Sequence, residues 1–132
     1  MSAPAPRPTP LSAAATLLAL LAAACATDAP LTPGTPKVVA EKAIAPYEFH
    51  EECMHLERGD RLDYRFESDQ PLAFNIRYHE QNLVLMPITR TAITSDAAIF
   101  SPVVAQDYCL TWEAGPSGAV LSYRVVLRRP RP

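Results

Sequence analysis

The densest run of groups able to do chemistry is His50-Glu51-Glu52-Cys53-Met54-His55. It invites comparison with a zinc-protease helix, where HExxH sets two histidines on one face. Here the histidines are five apart. That is about 140° out of line on a helix, and on opposite faces of a strand. Two polar side chains beside a strand are therefore expected. A second group alternates: Asn75, Arg77 and His79, followed by Glu80. On a strand these three share an outward face able to take a carboxylate, a sugar or a metal ion, so Asn75, Arg77 and His79 form the candidate binding face. The competing reading is an ordinary solvated face, with Arg77 paired to a carboxylate such as Asp63 or Glu67. A copper or zinc site needs two or three more ligands. Met54, Met86, His50 or His55 would have to converge on His79 to supply them.

No catalytic residue is expected. No serine lies in a GxSxG elbow, and no carboxylate is marked out by an apolar setting. The four glycines, Gly34, Gly59, Gly115 and Gly118, are too sparse for a phosphate-cradling loop. Lys37 and Lys42 are the only lysines, and no basic cluster precedes the C-terminal arginines, so nucleic acid is not an expected partner. No cofactor is expected either.

There are three cysteines. With Cys25 assigned to the N-terminal segment, Cys53 and Cys109 remain, and an oxidising compartment favours a disulfide between them. It would close a loop of about 56 residues, for which chain entropy gives roughly 4 kcal/mol. The rival is a thiolate ligand or nucleophile. No CxxC pair and no basic residue next to Cys109 support that.

The elements that must carry these groups read as strands. Leu62, Tyr64 and Phe66 alternate with Arg61, Asp63, Arg65 and Glu67. Leu72, Phe74, Ile76 and Tyr78 alternate with the candidate face, and Ala119, Leu121, Tyr123, Val125 and Leu127 share a side. Tyr108–Trp112 alternates too, and Tyr47–His55 more weakly. Pro87 makes Leu83–Arg90 an edge or bulged strand. Turns are expected at Arg58-Gly59-Asp60, Asp69-Gln70-Pro71, Gln81-Asn82 and Gly115–Gly118. No long 3.6 period appears. The expected fold is all-β: an antiparallel β-sandwich over 37–129, with 130–132 as a tail.

The 132-residue chain is one domain long, with a formal net charge of −2. Seven of its 14 prolines fall in the first 36 residues. Within them Leu11–Ala24 is an uncharged apolar run of 14 residues after Arg7, shorter than the ~20 that span a bilayer. Residues 1–24 thus read as a secretory signal. Its end, Leu21-Ala22-Ala23-Ala24-Cys25, resembles a bacterial lipobox, with Leu21 one place further from the cysteine than is usual. The resemblance implies acylation of Cys25 and membrane lipid as a partner through it. With Ala26 next, it implies the outer membrane, periplasmic face. An ordinary signal-peptidase cut at Ala24-Cys25-Ala26 is the alternative, giving a soluble periplasmic protein. Residues 25–36 read as lipidated Cys25 and a Pro-rich tether.

Glu52-Cys53, Leu56–Asp60 leading into Leu62–Phe66, Phe74-Asn75-Ile76, Tyr108-Cys109-Leu110 and Leu121–Val125 together resemble the GOLD domain, the lumenal β-sandwich of Golgi cargo receptors. The resemblance implies seven or eight strands, a Cys53–Cys109 disulfide and protein recognition without catalysis. Eukaryotic cargo sorting is not expected to carry over, since no coiled coil or membrane helix follows Arg129. The strand Phe74-Asn75-Ile76-Arg77-Tyr78-His79 is also similar to one in small bacterial envelope proteins. The expectation is a lipid-anchored envelope module that binds an envelope protein or serves structurally. Its alternative is a small-ligand or metal binder at Asn75, Arg77 and His79.

Overall fold

A computed structural model describes residues 1–8 and 30–132. Cys25, most of the signal and the first residues of the tether fall outside that range. Among the described residues there is no helix. The described residues form six strands: β1 (Lys37–Ile44), β2 (Phe49–Leu56), β3 (Arg61–Glu80), β4 (Leu83–Phe100), β5 (Gln106–Ala114) and β6 (Ala119–Arg128). All pair antiparallel in the order β1-β6-β3-β5-β2, with β4 on the other side of β3.

β3 is the spine. Its first half, Arg61–Ser68, pairs with β6, and its second half, Leu72–Tyr78, pairs with β5. β4 follows both halves along the opposite edge. The corner between the halves lies where the sequence signals a turn, at Asp69-Gln70-Pro71. It is a bulge inside one long strand: from Glu67 to Leu72 the chain passes only Ser95 to Ile93 on β4. Ser68 Oγ donates to the Gln70 carbonyl at 2.8 Å, and Asp69 Oδ1 accepts from the Val120 N–H at 2.7 Å. Local side chains thus satisfy backbone groups that the ladder releases. Two expected strands become one here. The run after Pro87 likewise extends Leu83–Arg90 into the 18 residues of β4, so six strands stand where seven or eight were expected.

The bulge keeps the pleat in phase. Leu62, Tyr64 and Phe66 before it, and Leu72, Phe74, Ile76 and Tyr78 after it, all point into the core. The corner brings the two arms face to face, and the sheet curls into a half-barrel. Trp112 of β5 stacks on Tyr123 of β6, with ring centroids 4.5 Å apart, and Phe66 meets Phe74 at 4.7 Å. Each such burial contributes about 1.5–3 kcal/mol, and close aromatic pairs add up to about 1.5 kcal/mol. The β5–β6 turn needs its glycine. Gly118 has φ +68°, and a Cβ there would sit 2.8 Å from the Ile44 carbonyl oxygen.

Candidate functional site

On the outer face of the second arm, β2, β5 and β3 lie side by side. Cys53 and Cys109 are register partners on adjacent strands and form the disulfide, with Cα atoms 4.0 Å apart. The bond therefore clips neighbouring strands on the outer surface. Arg77 is in register with Cys109. Its guanidinium pairs with Glu51 of β2, which also accepts from Thr111 Oγ1 at 3.2 Å. The expected partners, Asp63 and Glu67, are not used. They lie on the first half of β3, beyond the corner, where Asp63 meets Arg128 instead.

The candidate face is thus only partly available. Asn75 is half-buried, and its Oδ1 has no partner. Arg77 has its charge met by Glu51, while His79 is exposed. The other histidines lie elsewhere. His50 points into the concave side, 3.0 Å from the Tyr123 hydroxyl. His55 points outward between Asp107 and Glu57. The five-residue separation sets them on opposite faces, as the strand period requires. Among the described residues, Glu51, Cys53 and Cys109 form the one group of three ligand-bearing side chains within 4.8 Å, and both sulfurs are in the disulfide. His79 therefore meets no second histidine in a group of that kind.

Inside the curl is a polar chain that the sequence reading missed. Glu52 is 4% exposed. Lys37 Nζ donates to its Oε1 at 2.8 Å, and the Tyr123 hydroxyl donates to its Oε2 at 2.7 Å. With that proton committed, Tyr123 Oη accepts from His50 Nε2–H. Trp112 lies against both rings and is fully buried, its Nε1 without a partner. The available signal was phase: His50 and Glu52 share the inward side with Met54 and Leu56. A buried carboxylate on that side demands a partner.

Two ionic clusters fix the end where β2 turns into β3. Asp60, 1% exposed, accepts from the Glu57 N–H at 2.8 Å and from Arg129 Nε and Nη2 at 3.0 and 2.8 Å. The forked Arg129 bond holds its carboxyl below the usual aspartate range. His55 donates from both ring nitrogens, to Asp107 at 2.7 Å and Glu57 at 3.0 Å. Those bonds, Asp107 first, raise its pKa above the ordinary value and favour the imidazolium.

The largest unprotected feature is an edge. Among the described residues β4 pairs only with β3, so its other side offers free backbone groups over 18 residues. Leu83, Val84 and Met86 are exposed along it. A cavity of about 310 Å³, lined by Tyr78, Leu85, Pro87, Phe100 and Val103 among others, opens beside it.

Fold and site define an all-β, antiparallel, disulfide-bonded domain. Compared with known proteins, the chain matches no family model, and no curated protein matches it.

Proposed function

We propose that this chain is an exported, lipid-anchored module of the bacterial envelope, non-catalytic, which binds an envelope protein by adding an extended segment of it to the free edge of β4. One observation carries the reading. β4 has only two charged residues, Arg90 and Asp96, and they pair with each other at 3.5 Å. Exposed edges usually carry lysines or inward charges that repel a second strand. β1, also at an edge, has Lys37, Glu41 and Lys42, and β2 has two glutamates, Glu51 and Glu52, and two histidines, His50 and His55. β4 has no lysine along its length and an apolar groove beside it, a combination that suits strand addition. Anchoring at Cys25 rests on the lipobox-like Leu21–Cys25, and the Cys53–Cys109 disulfide accords with an oxidising compartment. The finer fold reading, a GOLD-like sandwich, rests on the face-to-face arms and on the disulfide positions.

A photo-crosslinking residue at Val84, compared with one at Val120 on a different exposed surface, tests the docking in intact cells. A protein-sized adduct at Val84 alone is expected. Equal adducts at both positions, or none at Val84, would remove the edge-docking reading. Mass analysis of the protein from membranes tests the anchor: acyl groups on a chain starting at Cys25 support it, and an unacylated start beyond Cys25 defeats it.

A further inference from the structure

On the outer face of the first arm, Arg65 of β3 and Arg124 of β6 are direct register partners. The row continues to Ala97 on β4 and Val38 on β1, both short side chains. The next row holds Ser95, Glu67 and Ser122. A groove of about 750 Å³ lies over these rows. Among the described residues neither Arg65 nor Arg124 makes an ion pair or side-chain hydrogen bond. Like charges placed directly opposite on a sheet are destabilising, and nearby carboxylates do not relieve them. Asp63 pairs with Arg128. Asp96, at the groove wall, is engaged by Arg90, the Tyr64 hydroxyl and the Ala97 N–H. Glu67 makes no ion pair with either arginine. In a chain of net charge −2, this face carries Arg61, Arg65, Arg124 and Arg128 against Asp63 and Glu67.

We propose that the groove over Arg65 and Arg124 is an oxyanion site for the phosphoryl group of a phosphate ester. Two guanidinium forks offer more donors than one carboxylate can accept, whereas a tetrahedral dianion has oxygens for both. Ser122 Oγ accepts from the Glu41 N–H at 3.0 Å, which leaves its own hydrogen to donate. Ser95 supplies a second hydroxyl. The volume matches sites that hold a small organic molecule, about 300–1,000 Å³, so the phosphate is expected to be part of a larger ligand. This site lies apart from the Leu83–Met86 end of β4 and does not rest on edge docking.

The test uses the full chain and two probes, glycerol phosphate and phosphatidic acid vesicles. At ten times Kd, glycerol phosphate should raise the melting temperature by about 5 °C over chloride of equal ionic strength. Arg65→Gln and Arg124→Gln should each weaken binding at least about tenfold. Neither should lower the melting temperature in phosphate-free buffer, since each relieves a repulsion, and Arg61→Gln, outside the groove, should bind as wild type. Arginine-dependent binding to phosphatidic acid but not phosphatidylcholine vesicles, with little response to glycerol phosphate, would support the site and assign a lipid source. The converse would support it and assign a soluble one. If phosphate and chloride act alike and neither vesicle binds, or if Arg65→Gln combined with Arg124→Gln binds as wild type, the site is overturned.

Discussion

Lys37 and Glu52 stand on the two strands furthest apart in the sheet order, yet their side chains meet at 2.8 Å. The pair spans the seam of the half-barrel, where β1 and β2 approach without sharing a backbone ladder. Glu52 is buried, whereas Lys37 keeps partial access to solvent. The carboxylate therefore depends on Lys37 and Tyr123 for what water would otherwise supply.

Cutting this seam should loosen the curl. Lys37→Met is expected to cost about 1–3 kcal/mol, because it strands a buried carboxylate. Tyr123→Phe should cost about 1–2 kcal/mol for the lost hydroxyl. Lys37→Met with Glu52→Gln should cost less than the sum of the two single changes, since no unpaired charge remains. Urea unfolding of the wild type, Lys37→Met, Glu52→Gln and the double variant measures this, and strict additivity would mean that the pair does not hold the seam.

Acid should release Asp60. Its folded pKa is depressed by Arg129, so its stabilisation is fully present above the unfolded aspartate range, about 4. That contribution is lost as pH falls through the lower folded value. Asp60→Asn should cost about 2–4 kcal/mol at neutral pH and flatten the fall in stability below pH ~4. Denaturation at a series of pH values shows both, and an unchanged acid slope would assign the acid sensitivity to other groups.

How far these features were legible depends on what the sequence encodes locally. Period two alone placed Leu62, Tyr64, Phe66, Phe74, Ile76, Leu121 and Val125 inside, because alternation is set one residue at a time. Asp69-Gln70-Pro71 reads as a turn but forms a bulge within β3, because a bulge and a turn favour the same residues. The strand after Arg90 left little trace, because an edge strand buries few side chains: along Thr91–Ile99 only Ile93 and Asp96 are even partly covered. Arg77 found Glu51 across β5, a relationship fixed by strand order that no local pattern contains.

Breaking the disulfide should leave the fold intact but weaker. Cys53 and Cys109 are already register partners in the β2–β5 ladder, so the bond mainly restricts the unfolded chain. Cys53→Ser with Cys109→Ser is expected to lower stability by about 4 kcal/mol, with an unchanged far-ultraviolet circular dichroism spectrum at low temperature. A chain that cannot fold reduced would show instead that the bond is required to form the ladder.

His55 should titrate above the ordinary histidine value of about 6.5, since both ring nitrogens donate to carboxylates. A raised folded pKa contributes stability that is present below the unfolded value and lost as pH rises through the folded one. Asp107→Asn should bring the His55 pKa down, and Glu57→Gln should do so less, in the order of the two bonds. The imidazole resonances followed by NMR from pH 5 to 9 decide it. An unshifted midpoint in the wild-type chain would show that the two bonds do not persist in water.

The free edge of β4 should be active even without its partner. Val84 and Met86 are 45% and 49% exposed, so Val84→Lys with Met86→Lys removes little burial and should change stability by no more than about 0.5 kcal/mol. An unguarded edge of this length is also a template for a second copy. Near millimolar concentration (about the upper end of the range where such edges associate), the wild-type chain is expected to self-associate. The double lysine variant should stay monomeric, because two desolvated ammonium groups oppose strand addition. Sedimentation at rising concentration compares them. If the wild type remains monomeric throughout, the bulge at Pro87 and the positive φ of Ala92 already interrupt the edge enough to guard it, and strand addition at β4 would have to be abandoned as the mode of docking.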